Sequence, residues 1–269
     1  MRRVERTTLD GNFGSYTGVC RSLAAYSDAL HNRCKTRLSE VWHPSCHLKR
    51  LSEDGTLVDI DAVRFAAIVG SGEASAGPEV WGRDRVQSIS FLSSHVALAK
   101  VQVTLPPKTY TDFLSLLRLG EAGQWLIISK VFTSIPEHQL SYEDAAGMAQ
   151  SQNEIAEAIE IYFRANHASD MDLMSQVMHP TCSLYSCEDG HLNERDRATF
   201  YRDAAARPPS DGCGYDKIIS IDKSGPHSAV ATVQIGFPTI GRLFTDHLSL
   251  LRIEGRWMIV SKTYAHKQL

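Results

Sequence analysis

Two aspartates stand directly in front of apolar runs that are almost identical. The stretch "YTDFLSLLR" covers residues 110–118 and "FTDHLSLLR" covers residues 244–252, and seven of the nine positions are shared. A carboxylate beside so many apolar residues is costly to bury unless it is paired or hydrogen-bonded. Asp112 and Asp246 are therefore the first candidates for chemistry, and His247, next to Asp246, is the most obvious additional one.

Cysteine and histidine do not form a metal-binding pattern. The six cysteines lack the CxxC and HxxxH spacings of zinc sites and the pairing of a disulfide framework. They are Cys20, Cys34, Cys46, Cys182, Cys187 and Cys213. We expect free, mostly buried thiols, no metal site and no organic cofactor.

The repeated aspartates belong to a tandem repeat that covers most of the 269 residues. Tyr26 and the pair His43-Pro44 recur 136 residues later as Tyr162 and His179-Pro180. The tripeptide "EDG" recurs at an offset of 135, and tryptophan followed by Ser-Lys recurs at 132. The pattern predicts an N-terminal extension (1–15), a first domain (16–134), a linker (135–153) and a second domain (154–269).

Each half reads as helices first and antiparallel strands afterwards. Apolar residues at helical spacing open each half, a short helix follows, and we expect it to end at Pro44 or Pro180. A third helix precedes a series of strands, the last two joined at Glu254-Gly255 by a two-residue hairpin turn. The sequence therefore predicts an α+β fold with two tandem cone-shaped domains, each with about three helices packed on a curved, mostly antiparallel sheet.

Pairing the last two strands about that turn assigns their faces. An uninterrupted register places Asp246 opposite Thr263 and on one face with Leu248 and Trp257. His247 and Lys262 then fall on the other face. This predicts that Asp246 points toward the helices and that His247 points away from any pocket.

The order of elements, together with "TDHLSLLRIEGRWMIVSKTY", resembles the nuclear transport factor two superfamily, and within it the SnoaL-like and "putative lumazine-binding" branch. The resemblance covers nearly all of both halves. It implies cone-shaped domains with an apolar pocket between helices and sheet, and domains that commonly dimerise through the outer faces of their sheets. One chain carrying two such domains is expected to make that contact internally, as a pseudo-dimer. The superfamily includes isomerases, dehydratases, cyclases and proteins without catalysis.

The site is more specifically, though distantly, similar to that of the ketosteroid isomerases. Their oxyanion-hole tyrosine falls at Tyr162 and Tyr26, and their protonated, hydrogen-bond-donating aspartic acid falls at Asp246 and Asp112. A further tyrosine of that network falls at Tyr201. The resemblance implies a pair of donors that polarises a carbonyl oxygen. The alternative is that each tyrosine only satisfies a buried carboxylate, and the presence of the pair in both halves suits either role.

The general base of that family is absent, since its position falls at Tyr185 in the second half and at Lys49 in the first. Lys49 in an apolar cavity would lose some of its preference for charge and could act as a base or form a Schiff base. It could instead point outward beside Arg50. Tyr185 is a weak candidate for proton transfer, because its ordinary pKa is near 10.

From these residues we expect a cofactor-independent isomerase, lyase or cyclase acting on a small, largely apolar molecule with a carbonyl or hydroxyl group. The second half has the fuller network. Four further side chains are expected to line the pocket: Trp257, Trp125, Leu248 and Phe200. The alternative is a non-catalytic ligand-binding or scaffolding pseudo-dimer.

Charge and hydropathy exclude other classes of function. The net charge is −3 and the isoelectric point is about 6.4, and no basic stripe that would suit nucleic acid is present. No stretch approaches 18 apolar residues and no leader follows the charged N-terminus. A cytoplasmic protein without nucleic-acid or membrane partners is expected.

Overall fold

The computed structural model describes residues 7–72, 82–137, 145–210 and 214–269. Within them the two halves of the sequence form two α+β domains with the same order of elements. Cys213 and residues 138–144 of the expected linker lie outside the described residues.

The first domain has three helices and six strands. The helices are α1 (Thr7–His31), α2 (Lys35–Ser39) and α3 (Ala62–Ser71). The strands are β1 (Trp42–Leu51), β2 (Leu57–Asp61), β3 (Arg85–Ser93), β4 (Val96–Leu105), β5 (Lys108–Leu119) and β6 (Gln124–Pro136).

The second domain repeats this arrangement. Its helices are α4 (Ala145–Ala168), α5 (Met171–Ser175) and α6 (Arg197–Ala205). Its strands are β7 (Met178–Glu188), β8 (His191–Asp196), β9 (Lys217–Ser224), β10 (Ser228–Phe237), β11 (Arg242–Ile253) and β12 (Arg256–Gln268).

Each sheet has six strands, in the orders β2-β1-β6-β5-β4-β3 and β8-β7-β12-β11-β10-β9. Only the pairs β1–β6 and β7–β12 are parallel among the described strands. The inner face of each sheet packs against its own helices around a separate apolar core. The predicted tandem α+β fold is confirmed.

Local sequence explains where several elements begin and turn. Asp61 and Asp196 cap α3 and α6, each accepting a hydrogen bond from the backbone amide three residues later, at 2.7 Å. Glu254 and Gly255 have φ values of 49° and 79°, the left-handed pair that a tight hairpin requires, and the predicted turn is confirmed.

The prolines that were expected to end the short helices lie inside strands. Helices α2 and α5 end before them, at Ser39 and Ser175, and Pro44 and Pro180 are the third residues of β1 and β7. Pairing of β1 with β6 is irregular between Trp42 and His47. A residue without an amide hydrogen is tolerated in such an interruption of the ladder.

The outer faces of the two sheets pack against each other, and we call this contact the sheet interface. Tyr185 of β7 packs with Leu117 and Ile128 of the first domain, and its hydroxyl donates to the Ser45 carbonyl at 3.2 Å. The Gly120 amide donates to the Gly190 carbonyl at 2.9 Å. The two domains therefore form an internal pair joined by apolar packing and hydrogen bonds.

Candidate active site

A buried tyrosine and a buried aspartate meet at the centre of the second domain. Tyr162 lies in α4 and Asp246 in β11, and neither side chain is exposed. The Tyr162 hydroxyl donates to Asp246 Oδ2 at 2.8 Å. The structure thus brings together the two residues that the resemblance singled out.

A lysine completes the cluster. Lys262 of β12 donates from Nζ to the Tyr162 hydroxyl and to Asp246 Oδ2, both at 2.8 Å. Its side chain is only 7% exposed, so the ion pair with Asp246 lies within the core. We call these three residues the second-domain triad.

The predicted register failed to place Lys262 on this face because β12 contains a bulge. Leu250 pairs with Ile259 as expected, but Ser249 pairs with Ser261, so Val260 is the extra residue. One inserted residue reverses the alternation of faces beyond it. Asp246 therefore lies opposite Tyr264 instead of Thr263, and Lys262 points inward beside it.

The first domain contains the same cluster, which we call the first-domain triad. Tyr26 donates to Asp112 at 2.8 Å, and Lys130 donates to the Tyr26 hydroxyl at 2.7 Å and to Asp112 at 2.8 Å. A matching bulge separates Ser115 from Leu116 in the pairing of β5 with β6. The repeated triad is therefore a feature of the domain fold.

Burial and charge set the proton positions in the second-domain triad. Burial raises the pKa of Tyr162 well above its usual value, and the Asp246 charge raises it further, so the phenol keeps its proton. Burial lowers the pKa of Lys262, while Asp246 opposes the change. Asp246 Oδ2 accepts from both Tyr162 and Lys262, so the geometry places this carboxyl as the acceptor of the triad and pairs it with a cation.

A cavity of about 150 Å³ reaches this triad from the open end of the second domain. Tyr162 and Lys262 form part of its wall, together with Phe200, and Arg207 lies beside them. Other apolar lining residues are Leu184, Ala204, Ile235, Phe237, Ile240, Phe244 and Tyr264. Polar and charged side chains complete the wall: Asn166, Glu188, Arg195, Asp203, Arg242 and His266. The cavity thus combines aromatic and aliphatic surface with charged groups.

Arg207 is held in place by two contacts. Its Nη2 donates to Asn166 Oδ1 at 3.1 Å, and Asn166 in turn donates to the Tyr162 carbonyl at 2.9 Å. The guanidinium carbon lies 4.5 Å from the centroid of the Phe237 ring. Within the described residues no carboxylate lies within 4 Å of Arg207, whereas Arg195 on the same wall pairs with Asp203 at 3.4 Å.

The first domain differs at the corresponding positions. The offset that relates Tyr162 to Tyr26 places Leu30 where the second domain has Asn166, and the offset that relates Phe200 to Phe65 places Gly72 where it has Arg207. A hollow of about 200 Å³ between α1 and β3–β4 touches Tyr26 but is lined by neither Asp112 nor Lys130. The second-domain cavity thus joins a triad lysine to an arginine, which this first-domain hollow does not do.

Other predicted site residues lie elsewhere. Phe200 lines the cavity as expected, but Leu248, Trp257 and Trp125 are buried in the two cores and do not line it. Tyr201 does not join the triad: its hydroxyl is buried without a hydrogen-bond partner among the described residues, and its ring lies 5.0 Å from the Arg197 guanidinium.

Lys49 and Tyr185 were expected to take the place of the general base, and the structure contradicts this. Both lie on the outer faces of their sheets, in the sheet interface. Lys49 donates to the carbonyls of Thr181 and Val260, at 2.5 and 3.0 Å, and lies 3.4 Å from Asp59. Alternation along β1 and β7 turns both side chains away from the cones.

His247 also lies in the sheet interface, on the face opposite Asp246, as predicted. Sequence reasoning missed Lys262, Asn166 and Arg207. The recurrence of Ser-Lys at residues 129–130 and 261–262 marks the lysine in the sequence. The bulge, which alternation does not reveal, reverses the face on which its side chain lies. Arg207 gave no signal because it lies beyond the end of α6, where no periodicity applies.

The described residues contain no cluster of three or more histidine, cysteine, aspartate or glutamate side chains able to hold a metal ion. Among the helices of the described part, none combines the length and the hydropathy needed to cross a bilayer.

Comparison with known proteins gives one family and a set of similar structures. Residues 15–133 and again residues 150–265 match one family model, described as "Putative lumazine-binding". No curated protein matches the chain significantly.

The similar solved structures include NTF2-like proteins of unknown function. One from Silicibacter pomeroyi DSS-3 is 24% identical and covers 45% of this chain and 98% of its own, with a TM-score of 0.40. One from Shewanella baltica OS155 is 21% identical and covers 49% and 100%, with a TM-score of 0.42. Each covers about one half of this chain.

Proposed function

Because the chain belongs, in both of its halves, to the family described as "Putative lumazine-binding", we propose that it binds a small organic molecule, and that the second domain does so in the cavity beside Lys262. The observation that carries the proposal is the position of Arg207, a cation on the cavity wall with no carboxylate partner among the described residues.

Charge on the cavity wall favours an anionic ligand. Among the described residues, the wall carries four cations, Arg195, Arg207, Arg242 and Lys262, and two carboxylates, Glu188 and Asp203. Asp246 balances Lys262 from behind the wall, so one positive charge remains in excess. A guanidinium presents two parallel N–H donors that match a carboxylate. The proposed ligand therefore carries a carboxylate or a similar oxyanion at one end.

Size and lining define the rest of the ligand. A cavity of about 150 Å³ is comparable to an engineered protein cavity that holds benzene. Phe200, Phe237 and Phe244 offer aromatic surface to such a molecule. A small aromatic acid of about ten non-hydrogen atoms suits these dimensions.

A second candidate function is catalysis on this ligand, of isomerase, lyase or cyclase type and without an organic cofactor. It is favoured by the position of Lys262 on the cavity wall, since two of its three N–H donors are used within the triad and the third can donate to a developing oxyanion. In this role Lys262 replaces the neutral aspartic acid, and Asp246 positions it. The first-domain triad, without a matching arginine, is assigned a structural role.

The binding proposal can be tested by calorimetric titration with 4-hydroxybenzoate and its uncharged amide, 4-hydroxybenzamide. We expect the acid to bind more tightly than the amide, and Arg207→Gln to weaken the acid by about 10- to 100-fold, the equivalent of one charge-assisted hydrogen bond. The amide should be affected far less.

Lys49→Met is the matched control, since it removes a buried lysine that contacts the sheet interface and not the cavity. Its affinity for 4-hydroxybenzoate should equal that of the unmodified protein. Equal binding of acid and amide, or an Arg207→Gln variant with undiminished affinity, would count against the proposal.

A further inference from the structure

A second, larger cavity of about 670 Å³ lies in the sheet interface. Strands β3 and β4 of the first domain form one side, and β9, β10, β11 and β12 of the second domain form the other. None of the second-domain triad lines it. Its volume falls in the range of sites that take ordinary small-molecule ligands.

Because the domains are repeats, equivalent sets of residues occur at two places in the sheet interface. At one of these places large side chains fill the space. Lys100 Nζ donates to Asp222 Oδ1 at 2.7 Å and to the Lys223 carbonyl at 3.0 Å. The same nitrogen lies 5.3 Å from the centroid of the Phe113 ring. Lys100 and Phe113 are direct partners across β4 and β5.

The corresponding residues at the other place are smaller and uncharged. Thr232 and His247 are direct partners across β10 and β11, at the positions that Lys100 and Phe113 occupy in the first domain. Ser90, which pairs with Leu98, corresponds to Asp222, which pairs with Val230. The Lys100–Asp222 ion pair is thus replaced by the hydroxyls of Thr232 and Ser90, and the Phe113 ring by the imidazole of His247. These three replacing side chains line the cavity.

His247 presents an unsatisfied hydrogen-bonding group there. The side chain is fully buried, and within the described residues its Nδ1 has no partner. Nε2 lies 3.5 Å from Ser90 Oγ, at the long limit of a hydrogen bond. Burial lowers the pKa of His247 to about 3, so the ring is neutral at pH 7 and keeps one nitrogen as an acceptor.

The remaining lining is apolar or uncharged over most of its area. Hydroxyl and amide groups come from Ser88, Ser93, Ser220, Gln234 and Thr245, and apolar groups come from Phe91, Leu92, Leu98, Ile219, Val230, Leu243 and Ala265. Three charged or titratable side chains also line it, Asp222, His266 and Lys267, and Lys100 holds the Asp222 carboxylate. Such a surface suits an uncharged ring system with hydrogen-bonding substituents.

We propose that this cavity is a second ligand-binding site, which takes an uncharged, ring-containing organic molecule whose hydroxyl or N–H group donates to His247. The site shares His266 with the second-domain cavity but none of the triad or Arg207, and it does not depend on the function proposed for that cavity. Residues of both domains are needed to form it.

Two probes that differ in a single hydrogen-bond donor test this site. The full-length protein is titrated with 2-naphthol and with 2-methoxynaphthalene, and the histidine ring nitrogens are followed by long-range ¹H–¹⁵N NMR. We expect 2-naphthol to shift the His247 signals, which are identified by their absence in His247→Phe. The methoxy probe should bind at least about tenfold more weakly, because it leaves the buried acceptor unpaired.

Two variants rebuild the closed side of the interface. His247→Phe introduces the residue that the first domain has at this position, and Ser90→Asp with Thr232→Lys restores the ion pair while keeping His247. Both should abolish 2-naphthol binding at this site. The proposal is overturned if the His247 signals do not move at millimolar 2-naphthol, if the two probes bind equally, or if binding survives in a folded rebuilt variant.

Discussion

At the scale of single residues, comparison of the two triads distinguishes the side chains common to both domain cores from those found only beside the second-domain cavity. Both domains bury a tyrosine, an aspartate and a lysine within 2.7 to 2.8 Å of one another. Such a buried pair is costly to desolvate, but removing one member leaves an uncompensated charge. The second-domain cavity brings a triad lysine, Lys262, together with Arg207, whereas the first-domain hollow touches Tyr26 and Arg85 but not Lys130.

The lysines provide a matched pair of substitutions. Lys130→Met and Lys262→Met should each lower the free energy of unfolding by about 3–5 kcal/mol, because each leaves a buried aspartate without its cation. Urea denaturation measures the loss. Only Lys262→Met should also abolish binding of 4-hydroxybenzoate; equal effects of the two variants on binding would contradict the assignment of the site to the second domain.

At the scale of elements, the bulge at Val260 decides which residues form the site. In an uninterrupted register of the same residues, β12 would turn Lys262 toward the sheet interface, and Asp246 would have only Tyr162 as a partner. The bulge in the pairing of β5 with β6 has the same consequence for Lys130. One extra residue in a strand thus positions the lysine that pairs with the buried aspartate in each domain core.

Deletion of Val260 tests this register. With the extra residue removed, Ser261 follows Ile259 directly, so Ser249 stays opposite Ser261 and Lys262 stays opposite Leu248. We therefore expect Lys262 to remain inward beside Asp246 and 4-hydroxybenzoate still to bind; Val260→Ala, which keeps the bulge and removes apolar contacts with Val131 and Leu251, is the control. A deletion variant that loses about 3–5 kcal/mol more unfolding free energy than Val260→Ala, as an unpaired Asp246 would cost, would contradict this assignment of the register.

The same element explains how far sequence alone could go. Repeats and alternation were sufficient for the tandem α+β fold, the hairpin at Glu254-Gly255 and the inward direction of Asp246. They failed at Lys262 because a bulge has no simple signature in apolar alternation. They failed at Lys49 and Tyr185 because both faces of these strands are buried, so the sequence pattern of the outer face resembles that of the inner face. The packing of one sheet on the other, which the pattern does not show, decides which face holds these residues.

At the scale of the whole molecule, the sheet interface makes one unit of two repeated domains. It buries polar groups as well as apolar ones, including Lys49, Tyr185 and His247. The two sides of the interface have diverged, so that one is closed by an ion pair and the other encloses a cavity. The repeats thus differ at the interface and beside Arg207 in the second domain.

Burial of His247 makes stability depend on pH. The unfolded histidine titrates near 6.5, whereas burial lowers the native pKa to about 3. Between these values the unfolded state binds the extra proton, so stability falls as pH falls. From pH 6.5 to pH 5 the protein should lose about 2 kcal/mol more than His247→Phe does.

Denaturation at the two pH values gives the comparison directly. His266, Lys267 and Asp222 border the same cavity and remain in both proteins, so their titration cancels between them. A variant whose stability changes with pH as steeply as that of the unmodified protein would mean that His247 is not held neutral by the interface.

A crystal structure of the protein with 4-hydroxybenzoate tests the assignment of function most directly. We expect one molecule per chain in the second-domain cavity, with its carboxylate within about 3.2 Å of the Arg207 guanidinium, as in a charge-assisted hydrogen bond, and its ring against Phe200 and Phe237. A molecule bound beside Tyr26 in the first domain, or one in the second domain with its carboxylate turned away from Arg207, would contradict it.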